Sequence, residues 1–383
     1  MVKKINVGLV GYKFMGKAHS NAYIKAPVFF KSAAVPVMKA ICGRDEKGVR
    51  EAAETYGWQS YETSWQKLVS RKDIDLIDIS TPTNFHRDIA VAAAQEGKHI
   101  LCEKPMALNL NETKEMLKTA ENSGVKHMMG FNYRRLPAIV LARNLIKEGR
   151  LGKIYHFRAV YFQDWIIDPD FPLVWRLKKE IAGLGALGDM GAHIIDLARF
   201  LVGEFDSVMC TTETFIKERP EPAAVTGLTA KKGEGRGEVT VDDAAIFMAR
   251  FRNGALGAFE TTRFAAGHKN YECIEVNGEK GSISFNLERL NELQVFSRED
   301  EECTQGFKTI LVTESSHPYI KAWWPPGHII GWEHAMVHQV HDLIDSIARD
   351  TMPTPNFVDG AKCQEVLEAL SKSAQQNRWI NIP

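Results

Sequence analysis

Short apolar runs alternate with amphipathic helical segments over the first 130 residues of this 383-residue chain. Short strands that alternate with helices of this length predict a parallel sheet covered by helices on both faces. The predicted strands are 5–10, 37–42, 76–79, 99–102 and 126–130, and the predicted helices are 14–25, 45–56, 89–95 and 111–123. The first third of the chain is therefore predicted to be a doubly wound α/β domain.

Beyond residue 133 the apolar residues alternate with polar ones, and strands follow one another with few helices between them. The predicted strands are 154–162, 244–252, 255–262, 271–277, 282–286 and 293–296, with helices at 136–148, 336–349 and 360–373. This pattern predicts an α+β domain with a large, mostly antiparallel sheet. We expect two domains, 1–132 and 133–383, and a mobile surface loop at 233–237.

Composition excludes several classes of partner. The formal net charge is zero, with 25% charged and 44% hydrophobic residues, so no charge excess favours nucleic acid or an anionic membrane. No apolar stretch reaches the roughly 18 residues of a membrane span, and the first residues run directly into a strand pattern. The six cysteines form no Cys-x-x-Cys pair. We expect a cytoplasmic protein with reduced thiols.

A glycine turn joins the first predicted strand to the first helix. The dinucleotide fingerprint has three glycines: for the tight turn, for the approach of the pyrophosphate, and for helix packing. Gly11 and Gly16 fill the first and third places, whereas Lys13 occupies the middle one. Together with Phe14 and Met15 they are candidate cofactor-binding residues, and an ordinary tight turn is the alternative.

The end of the second strand bears on which cofactor is used. An acidic residue there holds the ribose 2′-hydroxyl of NAD, whereas an arginine accommodates the 2′-phosphate of NADP. Gly43 stands where the acid is expected, and Arg44 follows it. The stretch favours NADP, while Asp45 keeps NAD open and Arg44 as a solvated charge is the alternative.

The triplet Glu103-Lys104-Pro105 follows the fourth strand. The proline disfavours helical geometry at Lys104, so the lysine is predicted to project from the strand end, where open parallel sheets bind their ligands. Its ammonium group would hydrogen-bond a substrate hydroxyl or an oxygen that develops negative charge. The alternative is a surface lysine before a turn.

A glycine-rich segment, 183–191, leads into an apolar helix. On one continuous helix Asp189 and His193 share a face, being four residues apart. A carboxylate beside an imidazole raises its basicity and fixes its orientation, as a general base requires. One histidine and one aspartate are too few ligands for zinc. The alternative is a helix-capping aspartate and a buried, satisfied histidine.

Taken together, the glycine turn, the Glu-Lys-Pro triplet and the Asp-x-x-x-His spacing resemble the Gfo/Idh/MocA oxidoreductase family over essentially the whole chain. The resemblance implies a Rossmann domain and a catalytic site of Lys104, Asp189 and His193. Glu103 is expected to contact the cofactor or to brace the turn rather than to carry protons. The resemblance also implies that two loops contact the nicotinamide ribose and the domain junction; their residues are Thr81, Pro82, Asn84, His86, Asn132 and Tyr133. Lys13 departs from the family pattern.

The segments around Gln163, Trp165 and Arg176 resemble those of the sugar-oxidising members, including levoglucosan and inositol dehydrogenases, which implies that these residues bind the substrate. Trp165 would offer a flat wall to a sugar ring and Arg176 would donate to its hydroxyls; a core or rim aromatic and a surface arginine are the alternatives. We therefore expect a dehydrogenase that uses NAD or NADP to oxidise a secondary hydroxyl of a sugar, anhydrosugar or cyclitol. His193 would take the hydroxyl proton and Lys104 would stabilise the oxygen, although the sequence leaves open which of the two moves the proton.

Three alternatives to this activity stay open: a ketosugar reductase, an aldose–aldose oxidoreductase with tightly held cofactor, and a non-catalytic dinucleotide-binding regulator.

A homodimer or homotetramer is expected, because the second sheet offers a broad face for self-association. Four later residues are candidates to close the pocket: His268, Trp324, His328 and Trp332.

Overall fold

A computed structural model describes residues 3–226 and 229–383. Its first sheet has six parallel strands in the order β3-β2-β1-β4-β5-β6. The strands are β1 Lys3–Val10, β2 Ala34–Cys42, β3 Tyr61–Glu62, β4 Leu76–Ile79, β5 His99–Cys102 and β6 His127–Met129. The helices are α1 Phe14–Phe29, α2 Glu46–Tyr56, α3 Trp65–Ser70, α4 His86–Gln95 and α5 Leu110–Asn122. The predicted Rossmann domain is confirmed.

The order of the strands reverses between β1 and β4. Crossovers that run in opposite directions from neighbouring strands leave a crevice outside their carboxyl ends, and ligands of open α/β sheets bind there. The four residues of β4 are all buried, since helices cover both faces of the sheet. The first sheet therefore places its binding crevice between the ends of β1 and β4.

The second sheet has nine strands in the order β16-β15-β14-β13-β7-β12-β11-β8-β17, and β7 and β12 run parallel while its other described pairs are antiparallel. Its strands are β7 Ile154–Phe162, β8 Phe205–Glu213, β11 Ala244–Phe251, β12 Leu256–Thr262, β13 Tyr271–Gly278, β14 Gly281–Asn286, β15 Glu292–Ser297, β16 Lys308–Leu311 and β17 Ile380–Asn381. The associated helices are α6 Pro137–Lys147, α7 Lys179–Ala182, α8 Ala186–Asp189, α9 Gly191–Leu201, α10 His334–Ala348 and α11 Phe357–Gln376. The predicted large, mostly antiparallel sheet is confirmed.

The prediction of a loop at 233–237 is wrong. These residues belong to β10 Thr229–Glu238, which pairs with β9 Glu218–Thr226 in a separate two-stranded sheet. The pairing is irregular between Lys232 and Arg236, and a Cβ on Gly233 would lie 2.9 Å from backbone atoms of β9. Arg236 and Gly237 pair with Pro220 and Arg219 of β9, and glycine at 233 permits the close approach of the two backbones.

The second part of the chain returns to the first sheet near its end. Met336, Val340 and Leu343 of α10 belong to the same buried cluster as Ile5 of β1 and Tyr23 of α1. The Rossmann sheet is thus covered on this side by a helix more than 300 residues after its first strand. A domain boundary at residue 132 stays a prediction.

Among the described residues, none of the helices alone has the length and apolar character of a membrane span. One pair, Lys179–Asp189 and Gly191–Leu201, meets that test by length and composition only, with a bend of 49° between its parts.

Candidate active site

A cavity of about 1180 Å³ opens at the carboxyl ends of β1, β2, β4 and β5 and continues to residues of the second sheet. Most of the predicted site residues line it: Gly11, Lys13, Phe14, Met15, Arg44, Thr81, Pro82, Asn84, Glu103, Lys104, Asn132, Tyr133, Gln163, Trp165, Arg176, Asp189, His193 and Trp332. Five predicted residues lie outside its wall, namely Gly16, His86, His268, Trp324 and His328. The fold thus joins segments more than 300 residues apart around one cavity, while the roles of these residues stay predictions.

The glycine turn at the end of β1 fits a dinucleotide. Gly11 has a φ of 107°, and a Cβ on it would lie 2.7 Å from the Ser80 carbonyl oxygen. A Cβ on Gly16 would lie 2.1 Å from the Gly11 carbonyl oxygen, so Gly16 permits packing rather than contacting a ligand. The first turn of α1 begins at the cavity, where free backbone N–H groups and the helix dipole favour a phosphate.

The end of β2 forms the far end of the cavity. The ring of Tyr12 covers Gly43, where a Cβ would lie 2.3 Å from it, and the Tyr12 hydroxyl donates to Asp45 Oδ2 at 3.3 Å. The Arg44 guanidinium lies 5.5 Å from the centroid of the Phe85 ring. The sequence analysis did not predict Tyr12 and Phe85 as cavity residues, because aromatic residues in turns have no pattern specific to nucleotide binding.

His86 lies beneath the cavity and links two of the cofactor loops. Its Nδ1 is 3.0 Å from the Pro105 carbonyl oxygen and its Nε2 is 2.9 Å from that of Thr81. Burial lowers the pKa of His86, so the neutral ring donates to one carbonyl at a time. His86 therefore supports the two loops, and its predicted contact with the cofactor stays a prediction.

A buried histidine missed by the sequence analysis supports the Glu-Lys-Pro turn. His19 Nδ1 lies 2.9 Å from both carboxylate oxygens of Asp78, and its Nε2 lies 3.0 Å from Glu103 Oε1. The Tyr23 hydroxyl donates to Asp78 Oδ2 at 2.8 Å. Burial opposes the charged imidazole, but the two carboxylates outweigh it and raise the pKa of His19 to about 10. An imidazolium thus joins α1 to the ends of β4 and β5.

Lys104 and Asp189 meet at the centre of the cavity. Lys104 Nζ donates to Asp189 Oδ1 and to the Asp189 carbonyl oxygen, both at 2.8 Å, and Arg263 Nη2 donates to Asp189 Oδ2 at 3.0 Å. The Asp189 side chain is 30% exposed, and its burial opposes ionisation. The charges of Lys104 and Arg263 outweigh burial and hold the pKa of Asp189 well below its usual value. Arg263, 1% exposed, was missed because a lone arginine after a strand has no distinctive spacing.

The expected partnership between Asp189 and His193 is wrong. The helix breaks at Met190, between α8 and α9, and the Asp189 carboxylate is held by Lys104 and Arg263. Burial and then the Lys104 charge lower the pKa of His193 well below its usual value, and the opposing effect of Asp189 is smaller. His193 is therefore neutral rather than more basic.

An aromatic wall borders His193. The rings of His193 and Tyr133 have centroids 4.5 Å apart, and the Tyr133 hydroxyl lies 3.1 Å from that of Tyr161. Trp332 donates its indole N–H to the Tyr133 hydroxyl at 3.1 Å and stacks on Phe14 at 5.7 Å between centroids. Trp332 thus connects the cofactor turn to this wall.

Comparison with known proteins identifies the family. Residues 5–131 match the family model "Oxidoreductase family, NAD-binding Rossmann fold", and residues 139–284 match "GFO/IDH/MocA C-terminal domain". The chain is 43% identical to the levoglucosan dehydrogenase of Pseudarthrobacter phenanthrenivorans (strain DSM 18606 / JCM 16027 / LMG 23796 / Sphe3), over 100% of this chain and 99% of that protein.

Two solved structures have the same fold throughout. A levoglucosan dehydrogenase in complex with NADH and levoglucosan superposes with a TM-score of 0.95 at 42% identity, covering 100% of both chains. An oxidoreductase domain protein from Kribbella flavida superposes with a TM-score of 0.95 at 48% identity, also over 100% of both chains. With both halves of the chain matched by its models, this protein belongs to the Gfo/Idh/MocA family of NAD-binding oxidoreductases.

Proposed function

We propose that this enzyme oxidises a secondary hydroxyl of a sugar, specifically of an anhydrosugar such as levoglucosan, to a ketone. The observation that carries the proposal is the charged pair of Lys104 and Asp189 beside neutral His193, at the point where the cofactor turn meets the aromatic wall. Similarity to a levoglucosan dehydrogenase over the whole chain supports the choice of substrate. An inositol dehydrogenase at 24% identity is a more distant relative.

NAD is the cofactor in this proposal, in place of the NADP favoured by Gly43 and Arg44. Asp45 lies within the cavity beside Tyr12, where an acidic group can accept from the ribose hydroxyls. The similar levoglucosan dehydrogenase was solved with NADH. Gly11 and the first turn of α1 would hold the pyrophosphate, and bound NAD supplies the acceptor for the hydride that leaves the substrate carbon.

The protein's own residues handle the proton and the charge on oxygen. His193, being neutral, accepts the hydroxyl proton while the C–O bond becomes a carbonyl. Lys104 donates a hydrogen bond to the same oxygen and stabilises its developing negative charge. Asp189 fixes the lysine through two hydrogen bonds, and Arg263 keeps the carboxylate ionised and oriented.

The test is a panel of anhydrosugars, aldoses and cyclitols assayed with NAD and with NADP by the absorbance of reduced nicotinamide. We expect the highest kcat/KM with levoglucosan and NAD. Preference for a cyclitol would refute the anhydrosugar assignment, and preference for NADP would refute the cofactor assignment. The same assay run with ketosugars and NADH tests a reductase.

Two alternatives need a separate measurement. Nicotinamide released on denaturation, without turnover of added cofactor, would indicate the aldose–aldose oxidoreductase with tightly held cofactor. Binding of NAD without turnover of any sugar would indicate a regulator.

Self-association and location stay predictions. The outer face of the second sheet exposes about half of each of three apolar side chains, Ile246, Met248 and Leu256, which supports a homodimer or homotetramer built on that face. Light scattering of the purified enzyme would measure the oligomer. A cytoplasmic location rests on the sequence analysis alone.

A further inference from the structure

The aromatic wall carries a hydrogen-bond network whose direction is set by its two ends. Trp332 donates to the Tyr133 hydroxyl at one end, and at the other Trp165 donates its indole N–H to Gln163 Oε1 at 2.8 Å. An indole N–H is a donor only, so it fixes what the next group does. At both ends of the network, therefore, the hydrogen bonds are donated toward its centre.

The two inward chains meet at Asn270. Because Gln163 accepts from Trp165 through its oxygen, its amide nitrogen faces Asn270 and donates to Oδ1 at 2.9 Å. The Tyr161 hydroxyl donates to the same oxygen at 2.8 Å, which leaves the Tyr133 hydroxyl to donate to Tyr161. Reversing the Asn270 amide would place its N–H groups against the Gln163 N–H, so the orientation of Asn270 is determined.

This orientation leaves Asn270 with an unused donor. Its side-chain oxygen is saturated by two incoming bonds, whereas its amide nitrogen carries two N–H groups. The Tyr133 hydroxyl also pairs with the Asn270 side chain, and it can take at most one of these N–H groups. Asn270 lines the cavity and its backbone N–H is held by Glu288 Oε1 at 3.2 Å, so the remaining N–H is presented by a fixed residue.

We propose that Asn270 is a specificity-determining residue whose amide N–H donates to an oxygen of the sugar. The proton of each neighbouring tyrosine hydroxyl is committed within the network, so Asn270 supplies a donor that the two tyrosines do not. An oxygen that accepts there, an ether or a hydroxyl, is selected, and a substrate with an apolar group at that position leaves the N–H unpaired. This inference rests on the proposed oxidation of sugars.

The experiment compares wild type with Asn270→Asp, using levoglucosan and derivatives that each lack one oxygen. The aspartate keeps the shape and still accepts from Tyr161 and Gln163, but it has no N–H to donate. We expect the KM for levoglucosan to rise about ten- to a hundredfold, with kcat within about threefold and NADH affinity unchanged. The derivative that lacks the partner oxygen should have a raised KM with wild type, and that KM should rise little further in Asn270→Asp. This derivative identifies the oxygen that accepts from Asn270.

Asn111→Asp is the matched control, because Asn111 is an exposed residue in the first turn of α5. It should keep the wild-type KM. A wild-type KM in Asn270→Asp, with thermal stability also unchanged, would overturn the role in recognition and leave Asn270 as a network residue only. The role would also be overturned if removal of each oxygen raised the KM, relative to levoglucosan, by the same factor in wild type and in Asn270→Asp. Absence of turnover by wild type itself would refute the proposed function and this role together.

Discussion

Replacing His19 by glutamine removes the cation that joins Asp78 to Glu103 beneath the Lys104 turn. The His19 ring is within 3.0 Å of both carboxylates, and the side chains of His19, Asp78 and Glu103 are 1%, 0% and 8% exposed. Water therefore cannot replace the lost charge, and the variant holds two carboxylates close together in a dry site. We expect a large loss of stability and a displaced turn.

The pKa of His19 gives the size of the effect. Burial opposes the charged ring, while Asp78 and Glu103 raise the pKa from 6.5 to about 10. At about 1.36 kcal/mol for each tenfold change in acidity, this rise corresponds to about 5 kcal/mol. Removing one partner of a buried ion pair costs about 3–5 kcal/mol in other proteins. We expect the free energy of unfolding to fall by about 3–5 kcal/mol near neutral pH.

The pH dependence separates a charged His19 from a merely well-packed one. A group whose pKa is higher in the folded state contributes its full stabilisation of the fold at pH values below its pKa in the unfolded chain. This stabilisation is lost as the pH rises toward its pKa in the folded protein. Urea unfolding of both proteins at about pH 6.5, 8 and 9.5 should show their difference shrinking by about 1.4 kcal/mol per pH unit above neutrality. A difference that stays constant over this range would refute the charged imidazole.

Lys104→Met should lower kcat/KM at least about a hundredfold with NADH affinity retained. The Lys104 charge lowers the pKa of His193, so in the variant this pKa rises and the acid limb of the pH–activity profile should shift to higher pH. Arg263→Met removes one of the two cations that hydrogen-bond Asp189 and should lower kcat about ten- to a hundredfold, with partial recovery in Arg263→Lys; unchanged kcat would rule out the positioning role. Gly43→Ala places a Cβ 2.3 Å from a tyrosine ring at the cofactor end and should raise the Kd for NADH about tenfold, measured by fluorescence titration, with kcat at saturating NAD nearly unchanged.

Local patterns predicted most of the fold. Strands such as β4 and β5 are mostly apolar because both faces of a parallel sheet are covered, and this is visible within four consecutive residues; Asp78 in β4 and His99 at the start of β5 are the exceptions. Patterns of side chains failed at 233–237, since the strand pairing of β10 depends on backbone hydrogen bonds to β9 rather than on which side chains it carries. The sequence likewise predicted one helix across Met190, where the structure has two.

The sequence by itself determined the two kinds of sheet, the glycine turn with Gly11 and Gly16, and the position of Lys104 at a strand end. These features depend on residues within a few positions of one another, so local sterics and hydrophobic periodicity determine them. Only the tertiary structure decided that Asp189 pairs with Lys104 and Arg263, at separations of 85 and 74 residues. It also decided that burial keeps His193 neutral and that the Asn270 side-chain oxygen accepts from Tyr161 and Gln163, because charge, burial and hydrogen-bond direction depend on neighbours that distant parts of the chain supply.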